Sequence, residues 1–147
     1  METSTLTKQI ALCVVALLSG AGCGYLVERE LAGMASPVPA DFRFLGDQSA
    51  CYLEVNGRQK ALRVNCFHID GTLHIHSSRW ARLPRLSGEN WTVTVRRTPE
   101  VRVQIEDKIY RLSASEIPDE TTRRQILFDR GYWHAWGGIS IFAFHPR

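Results

Sequence analysis

Hydrophobic and polar positions alternate along this chain from Cys51 almost to its end. "CYLEV" (51–55) leads into Asn56-Gly57, a dipeptide that favours a tight hairpin turn. "KALRVNCFHI" (60–69) places Leu62, Val64 and Cys66 on one face and Arg63 and Asn65 on the other. Asp70-Gly71 is a second hairpin signal, and "TLHIHSS" (72–78) sets Leu73 and Ile75 against His74 and His76. These segments predict three antiparallel strands in a meander. "RWARLPRLSGEN" (79–90) reads as a connection. "WTVTVRR" (91–97) and "VRVQI" (101–105) read as strands four and five, separated by Thr98-Pro99, and "KIYRLSASEI" (108–117) as strand six after a turn at Glu106-Asp107.

The period then changes. "PDETTRRQILFDRG" (118–131) begins with proline, carries acids in its first turn, centres on Ile126 and Leu127 and stops at Gly131. That pattern predicts a short capped helix. "YWHAWGG" (132–138) is an aromatic loop, and "ISIFAF" (139–144) alternates again as a last strand. Six or seven short antiparallel strands with one late helix predict a barrel-like α+β domain.

The N-terminus follows a different pattern. Ile10–Leu18 is a continuous apolar run behind Lys8, followed by "SGAG" and Cys23. A basic start, a short apolar middle and a small-residue exit form the order of an export signal. Small residues directly before a cysteine resemble a bacterial lipoprotein processing site, which implies lipidation of Cys23. An uncleaved anchor is the alternative, because Ile10–Val27 is about long enough to cross a bilayer as a helix. A plain cleaved signal is a third. The expected organisation is a signal or anchor over 1–22, a tether over 23–44 containing the proline-rich "SPVPAD", and a domain over 45–147. The expected location is the exported side of a bacterial cell envelope.

Composition narrows the function classes. The 147 residues suit one domain, and 44% hydrophobic residues with 22% charged suit a packed core. The net charge of +3 comes with no dense basic run and no recognised motif, so nucleic-acid binding is not expected. Of four cysteines, only Cys51 and Cys66 fall in the domain. A two-residue turn at Asn56-Gly57 would set Cys51 opposite Leu62. Cys66 would then lie four residues further on, roughly 13 Å away. Two buried thiols are therefore expected over a disulfide, which another strand order would allow.

The stretch around Trp91 carries a family resemblance. Trp91, an alternating strand, Pro99, then Val101, Val103 and Ile105, a tight turn, and Ala114 and Ile117 resemble the split β-barrel flavin and deazaflavin oxidoreductases, nearest to their nitroreductase-like branch. The resemblance runs from about Cys51 to Arg147. It implies an α+β fold that is mainly an antiparallel six- to seven-stranded split β-barrel with one C-terminal helix. It implies an FMN or deazaflavin cofactor, hydride transfer with a small organic acceptor, and a homodimer. It also places the cofactor phosphate near Ser77, Ser78, Arg79 and Arg82; Trp91 is a candidate for stacking on the cofactor ring, with packing in the barrel the preferred reading for it. Arg79, Arg82 and Arg85 recur every three residues, and guanidinium groups bind phosphate oxygens in bidentate fashion.

The chain lacks the asparagine that such proteins often carry shortly after the tryptophan; Thr92, Val93 and Thr94 follow instead. It also lacks their glycine-rich stretch after strand three. The rival reading is a non-catalytic envelope lipoprotein that uses the barrel to bind a ligand or assemble with a partner. No metal site is expected. His74 and His76 share a strand face, but His68 falls on the other, and no carboxylate or thiol completes a ligand set. The sequence offers no nucleophile triad.

Overall fold

The computed structural model describes residues 28–56, 58–78, 89–132 and 138–147. Eight strands and two helices follow in chain order: β1 Glu28–Arg29, β2 Met34–Ala35, β3 Ser49–Val55, β4 Ala61–Ile69, β5 Thr72–His76, α1 Trp91–Arg97, β6 Glu100–Ile105, β7 Lys108–Glu116, α2 Glu120–Asp129 and β8 Ile141–Pro146. Six of the strands pair antiparallel in the order β4-β3-β6-β7-β8-β5, and β5 pairs back onto β4. The sheet is therefore a closed barrel, and the α+β split-barrel class expected from the sequence is the observed one.

Alternate side chains fill the barrel. Cys51, Leu53 and Val55 of β3, Leu73 and Ile75 of β5, Val101, Val103 and Ile105 of β6, and Phe142 and Phe144 of β8 share one core. The period-two pattern places them there, since successive side chains on a strand point to opposite faces. A second, smaller core lies outside the barrel, where α2 sets Leu127 against Phe67, Ile139 and Ile141. Asp119 caps α2 by accepting a hydrogen bond from the Thr122 backbone at 2.6 Å. Asp70 and Gly71 both have positive φ, 50° and 82°, as a type I′ hairpin turn requires.

Three details differ from the sequence reading. "WTVTVRR" is a helix and not a strand. Asn90 accepts a hydrogen bond from Thr92 N at 3.2 Å and caps it. Its β-branched residues disfavour a helix by only a few tenths of a kcal/mol each. Burial of Trp91 and Val95, one turn apart, in the barrel core outweighs that preference.

The β3–β4 register is shifted by two residues. Leu53 faces Leu62 and Cys51 faces Val64, so the connection is longer than a two-residue turn. Cys66 consequently lies two positions beyond the partner of Cys51, not four. Both are buried free thiols, and Cys66 Sγ donates to Ser49 O at 3.4 Å. Burial pushes the Cys51 thiol well up, and the Cys66 thiol beside it adds to the shift.

Residues 28–44, read from the sequence as tether, run against the barrel as a belt. β1 pairs with β4 and β2 pairs parallel with β7. Arg29 of β1 stacks 3.6 Å over Tyr52, and between the two strands Ala32 N donates to Gln104 Oε1 at 2.9 Å. Further on, Phe42 is 3% exposed and meets Tyr110 edge-on at 5.8 Å.

Candidate functional site

Ser77 directly follows β5 at the barrel rim, where its backbone and side chain tie that strand to the start of β8. Its N–H donates to Ser140 O at 2.8 Å, and its hydroxyl accepts from Ser140 N at 2.9 Å. Ser77 is thereby buried, while Ser78 next to it is exposed. Arg79, Arg82 and Arg85, expected to hold a phosphate, lie outside the described residues, as do Cys23, Trp80, Trp133 and Trp136. Trp91 is described, and its ring packs in the core 5.4 Å from Phe142.

A cleft of about 340 Å³ opens beside Ser77, lined among others by Thr92, Arg96, Glu116, Arg123 and Ser140. The exposed face and last turn of α1 form one wall, and the end of β7 the other. Sequence reasoning placed only Ser77 here with a role. Arg96 belongs too, but nothing local announces its partner. Glu116 lies 20 residues away and accepts two bonds from Arg96, at 2.6 and 2.7 Å. A third bond runs from Arg96 to Ser140 Oγ at 2.7 Å. The Arg96 guanidinium holds the Glu116 carboxyl below its usual range, against the upward push of burial. Arg123 is also engaged, donating to the Ile117 and Pro118 carbonyls at 2.6 Å each. The cleft therefore presents hydroxyls and a bidentate ion pair. An anion entering it competes with Glu116 for Arg96.

A second polar cluster lies on the outer barrel face beneath the end of α2. Phe67 stacks on His74 at 5.6 Å and lies 6.1 Å from His76, and Tyr132 meets His76 edge-on at 5.1 Å. His74 Nδ1 faces Thr72 O at 2.8 Å, and His76 Nδ1 faces Ser77 O at 2.9 Å. Burial lowers both imidazoles from their usual range, and the nearby Arg130 charge lowers them further. His68 pairs with Leu73 and so turns to the other face, as the alternation predicts. Among the described residues no three His, Cys, Asp or Glu side chains gather as a metal site. A groove of about 300 Å³ near Arg102, Arg111 and Arg147 is crossed by ion pairs to Glu54 and Glu100 and reads as a solvated face.

No protein-family model matches the chain, and no curated protein matches it. Solved structures do. A pyridoxamine 5′-phosphate oxidase-like protein of Listeria innocua is 24% identical over 67% of this chain and 84% of its own, with a TM-score of 0.48. A NimC/NimA family protein of Clostridium acetobutylicum is 15% identical over 69% of this chain and 74% of its own, also at 0.48. The barrel itself rests on the strand pairing described above.

Proposed function

We propose that the protein is a membrane-tethered split-barrel oxidoreductase of the flavin or deazaflavin type. It would bind the phosphate end of FMN or a deazaflavin at the barrel rim. The observation that carries this reading is the cleft beside Ser77. It brings together hydroxyls of Ser77, Thr92 and Ser140 with the Arg96 guanidinium at the point where the chain leads into the arginine-rich 79–85 segment. Hydroxyls and guanidinium forks are the donors that a phosphate monoester requires. The cofactor would supply hydride chemistry, and the protein binding, orientation and exclusion of water. The tether would be lipid on Cys23 or an apolar N-terminal helix, with the domain on the exported side and a homodimer as the assembly.

One observation favours the rival, a non-catalytic envelope protein that uses the barrel for ligand binding or assembly. Arg96 already spends its Nε and Nη2 donors on Glu116 and Ser140, and Ser77 Oγ already accepts from Ser140 N.

Titrating FMN and a deazaflavin cofactor against the detergent-solubilised full chain, read by flavin fluorescence quenching, separates the two. The redox reading expects a dissociation constant of micromolar order or tighter, weakened at least about tenfold by Arg82→Ala, a loss of about 1.4 kcal/mol. A folded protein that quenches neither cofactor supports the scaffold reading. Equal affinity of Arg82→Ala would remove that arginine from the site.

A further inference from the structure

Arg130, the residue that closes α2, differs from the arginines that pair with carboxylates elsewhere on the barrel. Arg58 meets Glu28, Arg96 meets Glu116 and Arg102 meets Glu54, at 2.6 to 3.2 Å. Arg130 has a side chain only 9% exposed, yet its nearest carboxylate, on the 98% exposed Asp47, is 3.7 Å away. Its Nε–H is buried with no hydrogen-bond partner. The guanidinium carbon sits over Phe67, 3.5 Å from the ring centroid. Stacking holds the group in place and leaves its Nε–H unspent.

The surroundings point the same way. His76 is on the same side of the barrel, its ring 6.1 Å from that of Phe67, and its Nε2 is also buried without a partner. With Nδ1–H directed at the Ser77 carbonyl, Nε2 is left as an acceptor. Native folds rarely leave one buried polar atom unsatisfied, and two around a single ring need an explanation. A buried cation without a close counter-charge is expensive for the fold. Desolvation lowers the Arg130 guanidinium from its ordinary range, which is the direction expected of a cation short of partners.

We propose that Arg130, held over Phe67 beneath α2, is the anchoring cation of a binding site for a small oxyanion, a carboxylate or a phosphate group. The Nε edge of the guanidinium presents two parallel N–H groups, the arrangement that chelates two oxygens of one oxyanion. His76 Nε2 supplies an acceptor for a hydroxyl or acid proton on the same ligand. This site lies on the outer face of the barrel and uses none of the rim-cleft donors, so it stands whether or not a flavin binds there.

The probes are inorganic phosphate and propionate, titrated separately against the full chain in detergent at constant ionic strength. Binding is read by thermal shift and by isothermal titration calorimetry. One of the two is expected to bind saturably, with a dissociation constant on the order of 1 mM or tighter; whichever binds identifies the oxyanion class. Arg130→Met keeps an apolar chain over Phe67 and removes the charge. It is expected to weaken binding at least about tenfold while leaving the ligand-free Tm unchanged or higher. Arg124→Met, on the same helix but paired to Glu120 at the surface, is expected to bind like the parent. Failure of both probes to bind the folded parent overturns the proposal. So does parental affinity in Arg130→Met, or a ligand-free Tm in that variant low enough to show that Arg130 is there for stability alone.

Discussion

Glu116 carries the largest consequence of any single residue at the rim, because it neutralises the cation that a phosphate would need. Charge-assisted bonds of the kind it makes with Arg96 contribute about 1.5–3 kcal/mol. A phosphate entering the cleft must replace them while facing the carboxylate charge. Glu116→Gln removes both obstacles and is expected to tighten FMN binding roughly tenfold, as measured by fluorescence quenching. Unchanged affinity would place the phosphate away from Arg96. The histidines lead to a second expectation at this scale. His74 and His76 have folded-state pKa values below that of an unfolded histidine. Between those values the unfolded chain holds more protons, so stability rises with pH there and falls as pH drops below about 6.5. Thermal melts at pH 7.5 and 5.5 should show the lower Tm at pH 5.5. The difference should shrink in a His74→Phe, His76→Phe double variant. An equal gap in that variant would assign the acid sensitivity to other groups, such as Glu116, whose lowered pKa destabilises only below about pH 4.5.

Helix α1 shows where reading elements from sequence succeeds and where it stops. The meander of β3, β4 and β5, the β6–β7 hairpin, α2 and the last strand follow from period-two alternation, the Asp70-Gly71 turn and caps, with only the β3–β4 register set two residues off the Asn56-Gly57 signal. In each of them local preference and tertiary packing agree. In "WTVTVRR" they conflict. Alternation and β-branching argue for a strand, and only the Asn90 cap and the Trp91–Val95 spacing argue for a helix. Those weaker signals prevail because the open end of the barrel needs a plug. The strand reading puts Trp91, Val93 and Val95 on one face, whereas Val93 is 42% exposed here. Val93→Lys should therefore change stability by no more than about 0.5 kcal/mol. Asn90→Ala should cost about 1 kcal/mol through the lost cap, and Trp91→Ala about 3–5 kcal/mol. Urea unfolding of the three variants tests the assignment, and a large loss in Val93→Lys would favour the strand. The site was less legible than the fold. Ser77 could be found because it lies at the end of strand three, where the resemblance places the cofactor phosphate. The Arg96–Glu116 pair and the Arg130 stack join residues that only barrel closure brings together, and no local pattern encodes such pairs.

For the whole molecule, the belt decides what the folding unit is. Proline in "SPVPAD" argues against regular structure, and that much agrees with the two-residue strands observed. Lack of regular structure did not mean lack of contact. Gln104 is 3% exposed on a barrel strand, and its amide is satisfied by Ala32 N of the belt and by the Glu106 carbonyl at 2.7 Å. Phe42 adds an aromatic plug against Tyr110. Loss of the phenylalanine alone costs about 3–5 kcal/mol, and stranding a buried amide oxygen about 1–3 kcal/mol more. That total approaches the whole stability of an ordinary domain, about 5–15 kcal/mol. A chain beginning at Leu45 is therefore expected to be largely unfolded at 25 °C by circular dichroism, whereas one beginning at Glu28 should melt cooperatively. Equal melting of the two would reduce the belt to a passive tether. If the belt is integral, the proposed membrane anchor has little slack. Only residues 24–27 separate Cys23 from β1, a reach of roughly 17 Å at full extension. The barrel would then sit against the bilayer surface and not swing free of it, which puts any acceptor for the rim cleft within reach of the membrane.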